Sequence, residues 1–412
     1  MDERLDVLDP CVQRIICACE SARRELEHGV VQRLLDFVRG ETHVAVVLRA
    51  AQPGVDQVGQ VGEEVSDAGV RVPRCGRRRE QALQNVEEGV RRRARLEQLE
   101  TELDAAAEEL TARMRMHNAD VRTEIVTRLE AVHNVSIRRR VDLGETVLHR
   151  YDPRTRVLEI NRHLSGGQQV FKMAAELAYL ECGREIDALV DGAGFGSEEA
   201  GRLARLGLAN YYAAAVVLPY TQFHGAAEEF EYDIERLSAF FSVSYETIAH
   251  RMSTLQRPNL RGVPLSFVRV DRAGNMSKRQ SSTGFHFSAS GGTCPLWNVY
   301  ETFAWPGKII TQIVEMPDGR NYLWVARTVE RRAARYGQPG KTFAIGIGCE
   351  LRHAHRLVYA RGLDLSDANA TPIGAGCRVC ERAGCPQRAF PAIGKALDID
   401  EHRSTISPYL VR

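Results

Sequence analysis

From Leu96 the apolar positions recur at spacings of three, four and seven (Leu96, Leu99, Leu103, Leu110, Met114), with acidic and basic residues between them. This heptad-like stripe predicts a helix, suited equally to a connector or homodimer contact and to packing on its own domain. Val121, Ile125, Leu129 and Val132 form a second stripe, and the short alternating runs VSIRRRV, ETVLHRY and RVLEIN, broken at Asp152-Pro153, predict a small antiparallel sheet. Val170, Met173, Ala174, Leu177 and Leu180 share the next helical face, entered through Gly166-Gly167; Ser197, followed by Glu198 and Glu199, caps a further helix that stops at Pro219. Beyond Pro258 the texture becomes β-rich: LSFVRV, GFHFSAS, KIITQIVEM, NYLWVARTV, TFAIGIGCE and RLVYA, bounded by Gly, Pro, Asp and Asn. The expected class is α+β, with a helical domain over 94–258 that carries the small sheet and a β-rich, cysteine-containing domain over 259–412. Residues 1–93 keep no period for long; their stretch VGQVGEEVSDAGVRVPRCGRRRE (58–80) reads as poorly specified, and the segment is left unassigned.

Composition narrows the class. The 412 residues, 44% hydrophobic, can bury two or three cores without staples. The longest apolar run, Leu208 to Tyr220, is too short to span a bilayer, and an N-terminus opening on Asp2 and Glu3 is no signal peptide. The expectation is a cytoplasmic protein without a membrane partner, in which clustered thiols stay reduced and point to metal. A net charge of +1 gives no global attraction to nucleic acid and leaves room for local patches.

GCRVCERAGCP (376–386) sets Cys377, Cys380 and Cys385 in a C-x2-C-x4-C spacing that brings three sulfurs to one side of a short loop. One knuckle, a Cys-Pro step and a distant fourth ligand are more typical of iron–sulfur ligation than of structural zinc, which favours two knuckles or a Cys/His pair. Cys294, also followed by proline, is the first candidate for the fourth ligand. Cys349 is the second, and the nearby His353 and His355 keep zinc chemically open; reduced buried thiols are the third reading. Cys11, Cys17, Cys19, Cys75 and Cys182 lack such spacing and are read as incidental.

FKMAAELAYL (171–180) resembles the zinc helix of the ImmA/IrrE metallopeptidase-like family, in which two histidines one turn apart face the metal and the glutamate between them activates water. Ala175 and Tyr179 stand at the histidine positions, Glu176 at the glutamate, and Leu208 where a third ligand, a glutamate, precedes the Ala209-Asn210 pair. Ala, Tyr and Leu do not hold zinc, so no catalytic residue is assigned and the chain is read as a non-enzyme. Glu176 is then a solvated or paired helix residue.

Together these features resemble the short-chain fatty acyl transcriptional regulators, over about three quarters of the chain from Glu97. The matching stretches include LHRYDPRTRVLEINRHLSGGQQVFKMAAELAYLE, DIERLSAFFSVSYETIAHRMSTLQRP, VPLSFVRVDRAGNMSKRQSSTGFHFS, GGTCPLWNVYETFAWPGKI and GAGCRVCERAGCPQRAFP. The resemblance implies a regulator of acetate, propionate and glyoxylate genes that responds to acyl-CoA, with a bound [4Fe–4S] cluster and coenzyme A. It also implies an N-terminal helix-turn-helix that reads DNA. That pattern is not recognisable in residues 1–93, whose Gly/Val/Arg texture is what a shifted reading frame in high-GC DNA would give. Residues 234–255 mimic a helix-turn-helix, with His250 and Arg251 on the second helix, though a core helical pair is the favoured reading. Arg269, Arg272, Lys278 and Arg279 flank a turn where they would meet CoA phosphates, the alternative being a solvated basic loop. The alternative functions are a zinc-stabilised interaction module and, further off, a metallopeptidase-like enzyme.

Overall fold

The computed structural model describes residues 101–114, 121–144, 146–193, 197–283, 293–331 and 340–407, with single positions 195, 285, 287, 337 and 409. Leu96, Leu99, Cys11, Cys17, Cys19, Cys75 and the unassigned segment 1–93 lie outside the described residues.

Residues 101–113 form α1. Its stripe faces inward: Leu103, Ala107, Leu110 and Met114 are buried in the main core. The polar residues of α1 fix its docking. Asp104, 3% exposed, takes a 2.7 Å ion pair from Arg251 and a 3.0 Å hydrogen bond from the Tyr211 hydroxyl. Glu108 accepts the Thr221 amide and pairs with Arg257 at 2.8 Å. Of the two readings of the stripe, the described part takes the second, a helix packed on its own domain.

Helix α2 (Val121–Ala131) buries Ile125 and Leu129 and leads into β1 (Ser136–Arg140), β2 (His149–Asp152) and β3 (Val157–Asn161). The sheet order is β1-β3-β2, and it is mixed rather than antiparallel throughout: β2 and β3 form a hairpin, whereas β1 lies parallel to β3. The connection 141–148 carries the chain past the β3 position before the hairpin turns back between the first two strands, so β1 and β3 run the same way.

Helix α3 (Gly166–Ala193) is 28 residues long with a kink at Cys182, and it packs along α4 (Glu198–Val217). Ser197 caps α4 by accepting the Ala200 amide, as its position before two glutamates predicts. Short helices α5 (Tyr220–Glu229), α6 (Ile234–Phe241) and α7 (Tyr245–Met252) close the helical layer.

The remaining chain builds a six-stranded sheet in the order β5-β4-β8-β7-β6-β9: β4 (Ser266–Asp271), β5 (Met276–Ser281), β6 (Ile310–Glu315), β7 (Asn321–Arg331), β8 (Lys341–Glu350) and β9 (Thr371–Pro372). Strand alternation gives it two apolar faces. Phe267, Leu323, Val325, Ile345, Ile347 and Cys349 join the helices in one continuous core. Val268, Val270, Tyr322, Trp324 and Ala344 face a second, aromatic core with Phe285 and Trp297. Trp324 lies flat over β8 because that strand offers glycine beneath it: a Cβ on Gly348 would stand 2.5 Å from the indole.

Two elements differ from expectation. RLVYA contains a 3-10 turn (Val358–Ala360) that docks on the helices, where the Tyr359 hydroxyl accepts the Ile234 amide. Polar MSKRQS forms edge strand β5, held to β4 by backbone pairing and by side-chain hydrogen bonds of Arg269 with Ser277 and Ser266 with Ser281 rather than by an apolar alternation. Among the described residues no helix is long and apolar enough to cross a membrane.

Candidate functional site

The four favoured cysteines converge. Strand β9 adds in parallel to β6 at the sheet edge and delivers the loop that follows to the aromatic side, where Cys377, Cys380 and Cys385 line one pocket with Cys294. Cys294 lies just ahead of the single-turn helix α8 (Asn298–Glu301) rather than at a strand end. Gly374 permits the approach, since a Cβ there would stand 2.5 Å from the Cys380 sulfur.

Two arginines shape the loop. Buried Arg388 donates to the carbonyls of Cys377 and Cys380, each at 3.1 Å, and to that of Arg382. Arg382 in turn donates to the Ile373 carbonyl at 2.9 Å and pairs with Glu315 on β6 at 2.9 Å. The sulfurs already receive amides: Cys377 accepts the Ala389 N–H at 3.5 Å, and Cys294 those of Gly374 and Leu296. Burial raises the Cys294 thiol, with Cys385 and Cys380 adding to the rise. Arg388 lines the pocket, and its Nε is buried without a hydrogen-bond partner. Four thiols, sulfur-directed amides and an orphaned cationic donor suit an anionic iron–sulfur group. Among the described residues no three His, Cys, Asp or Glu side chains are placed to hold a metal ion.

Cys349 does not join them. It pairs with Leu323 in the β7/β8 register and points into the helix-facing core, fully buried, where desolvation pushes its thiol up to about 12. Its neighbours His353 and His355 follow it on a 3-10 turn, Leu351–Arg356, and are absent from the pocket lining.

The peptidase-like helices keep their packing without a ligand set. Ala175 and Leu208 are buried apolar residues, and the Arg205 guanidinium of α4 lies 5.5 Å from the Tyr179 ring of α3, so this face of α3 meets α4 through a cation–π contact. Glu176 is 7% exposed, and burial alone raises its carboxyl to about 7.

The helix-turn-helix mimic is core. On α7, Tyr245, Ile248, Ala249 and Met252 are buried, and Arg251 is 2% exposed on Asp104. His250 stands edge-on to Phe267 with centroids 5.1 Å apart; enclosure of the ring and the Lys278 charge lower it to about 3. A recognition helix must present such side chains to a groove, so this pair does not read bases.

The basic quartet is split. Arg269 and Lys278 both reach Glu246 of α7, at 2.8 and 3.2 Å, and Arg269 also stacks on Phe343. Arg279 is paired opposite Val268 and therefore faces the other side of the sheet, while Arg272 is exposed in the turn. The four do not form one phosphate cradle. Glu246, Arg382 and Arg388 escaped the sequence reading because no spacing marks a partner supplied by a distant strand or by backbone carbonyls.

A peptidase-type helical scaffold with Ala175, Tyr179 and Leu208 at the zinc-ligand positions is joined to a cysteine-bearing β domain. The comparisons agree part by part: residues 130–253 match the IrrE N-terminal-like domain, and residues 254–409 match the short-chain fatty acyl coenzyme A regulator, C-terminal. The chain belongs to the short-chain fatty acyl coenzyme A regulator family. It is 76% identical over 313 residues to HTH-type transcriptional regulator RamB of Mycobacterium tuberculosis H37Rv, covering 75% of this chain and 66% of that protein. HTH-type transcriptional regulator PrpR of the same organism is 45% identical over 309 residues, 75% of this chain and 64% of the relative. The Propionyl-CoA carboxylase regulator of Cereibacter sphaeroides is 44% identical, with 61% and 54% covered. A solved structure of a Mycobacterium tuberculosis transcriptional regulator superposes with a TM-score of 0.73 at 44% identity, over 75% of this chain and 94% of that one. The chain thus spans just under two thirds of the two HTH-type relatives, all these relatives are named as regulators, and none is named as an enzyme.

Proposed function

We propose that this chain carries the sensor portion of a cytoplasmic transcriptional regulator of acetate, propionate and glyoxylate metabolism, with a short-chain acyl-CoA as effector and DNA as partner. The observation that carries the reading is the convergence of Cys294, Cys377, Cys380 and Cys385 on one arginine-braced pocket within a family of acyl-CoA regulators. Those cysteines would hold a [4Fe–4S] cluster, which when bound supplies a charge sensitive to redox state and iron supply. Arg388 and Arg382 orient the loop, Gly374 lets it close, and Cys294 and Ile373 join the pocket to the aromatic core.

Coupling to DNA runs through packing. The sheet shares a core with α7, and α7 grips α1 through Arg251 and Asp104, so a ligand that prefers one arrangement of the sheet biases the helix leading toward the N-terminal region. DNA reading is assigned to that region, in a homodimer.

Anaerobic purification tests the cofactor: a brown protein absorbing at about 400 nm with stoichiometric iron is expected. A colourless protein with one zinc would favour the zinc-stabilised interaction module instead. For regulation, affinity for a promoter fragment is measured with and without propionyl-CoA, on this chain and on a chimera carrying the N-terminal region of the 76% identical relative. An effector-dependent change in the chimera supports the reading, and indifference to every short-chain acyl-CoA refutes it.

A further inference from the structure

The three-stranded sheet turns one face to α2 and α3 and the other to solvent. Residues 136–162 contain seven arginines against four carboxylates, a local excess of three positive charges in a chain of net +1. Register decides where they go: Arg138, Glu159 and Arg150 form one row across β1, β3 and β2, on the face opposite buried Leu158 and Ile160. Arg140 lies two residues along the same face. Glu159, the one carboxylate in the middle of this face, is occupied by Arg150 at 2.5 Å and Arg140 at 3.7 Å.

Arg138, Arg154 and Arg162 are exposed, and among the described residues no carboxylate pairs with them. They mark the length of β1. Arg154 lies in the hairpin turn, whose Arg156 carbonyl accepts the Ser136 amide at one end of β1, and the Arg162 amide donates to the Arg140 carbonyl at the other end. Five residues of strand cover about 13 Å, the axial span of roughly four phosphates along one DNA strand. Arginine is the side chain best suited to bidentate phosphate contact; strand alternation sets Arg138, Arg140 and Arg150 on the outer face, and exposed Arg154 and Arg162 stand beyond its two ends.

We propose that this outer face of the small sheet is a sequence-independent docking surface for the phosphate backbone of duplex DNA, separate from any base-reading region. It rests on the reading of the protein as a DNA-bound regulator. Phosphate contacts of this kind fix orientation and carry no sequence information, so the surface would seat the sensor against DNA and give effector-driven changes a fixed point.

The test is fluorescence anisotropy of the full chain with a labelled 30-base-pair duplex of scrambled sequence, from about 50 to 200 mM salt. The triple substitution Arg138→Ala/Arg154→Ala/Arg162→Ala should weaken binding about tenfold at the lowest salt and flatten the slope of log K against log salt by about 2 to 3. A charge-matched control, Arg202→Ala/Arg320→Ala/Arg403→Ala, removes arginines already paired with neighbouring carboxylates and should leave the slope unchanged. Circular dichroism melts confirm that both triples are folded. The proposal is overturned if the two triples behave alike, if the chain has no affinity for scrambled duplex, or if it prefers vesicles containing phosphatidylserine. Selectivity for a promoter fragment over scrambled duplex reports separately on the regulator reading: its loss with arginine dependence intact sinks that reading and spares the surface, and the reverse pattern sinks the surface alone.

Discussion

The cysteine pocket and the peptidase-like helix pair are two sites treated in opposite ways. In the helix pair the scaffold persists while Ala175, Tyr179 and Leu208 stand at the ligand positions and pack, and Glu176 is buried with its carboxyl raised to about 7. In the pocket four cysteines stand on irregular chain, and Arg382 and Arg388 replace regular backbone pairing as the support. A regular element survives the loss of its chemistry because burial of its apolar face holds it. A loop site depends on the groups that brace it and on whatever fills it.

The sharpest break of that comparison is at the sulfurs. Cys294→Ala or Cys380→Ala should abolish iron content and the absorbance at about 400 nm, whereas Cys349→Ala should keep both; metal analysis and visible spectra of anaerobic protein decide, and equal loss from all three would remove the assignment of Cys294. Next is the α1 clamp. Asp104→Ala leaves Arg251 charged and buried, and a loss of about 3–5 kcal/mol is expected in urea unfolding, while Asp104→Leu/Arg251→Met should recover most of it. A double variant no more stable than the single one would contradict the account.

Glu176 gives a smaller effect with a defined sign. Its folded pKa, about 7, lies above the unfolded value, so the native state holds the proton more tightly and stability falls as pH rises from about 4.5 through 7. Glu176→Gln should therefore add about 2 kcal/mol at pH 8 and almost nothing at pH 4; a gain independent of pH would point to packing instead. His250 has the opposite sign and the smallest effect. Its folded pKa of about 3 lies below the unfolded one, so stability falls as pH drops below about 6.5. His250→Gln should remove about 1 kcal/mol of the wild-type loss between pH 7.5 and 5.5.

Much of the fold is legible in the chain. The stripe at 170–180, the Val121–Leu129 part of the stripe before it, the Ser197 cap and the runs that became β4, β6, β7 and β8 each carry a signal that one element satisfies, whereas Val132 falls past the end of α2 and is exposed. Strand β5 is illegible because MSKRQS shows no apolar alternation and owes its form to its neighbour. RLVYA misleads in the other direction, its apolar residues serving a helix-docked turn. At the site, C-x2-C-x4-C announces itself locally, and Cys294 against Cys349 is where the chain is ambiguous. Strand parity and the side on which the 373–388 loop descends put Cys294 in the pocket and Cys349 in the helix-facing core, and neither is a property of a short stretch. The basic quartet shows the same limit, since Glu246, 23 residues from Arg269, claims two of the four charges.

Periodicity and spacing in the sequence therefore determined the α+β class and three of the four convergent cysteines, because each is written in residues within a few positions of one another, while the resemblance of residues 171–180 to a zinc helix implied the loss of the zinc ligands. Only the tertiary structure decided that Cys294 completes the pocket, that Arg251 and His250 are core rather than DNA-facing, and that arginines of the small sheet share an open face. Those outcomes depend on which side of a sheet or helix meets a partner far along the chain, and burial of the whole molecule fixes that choice.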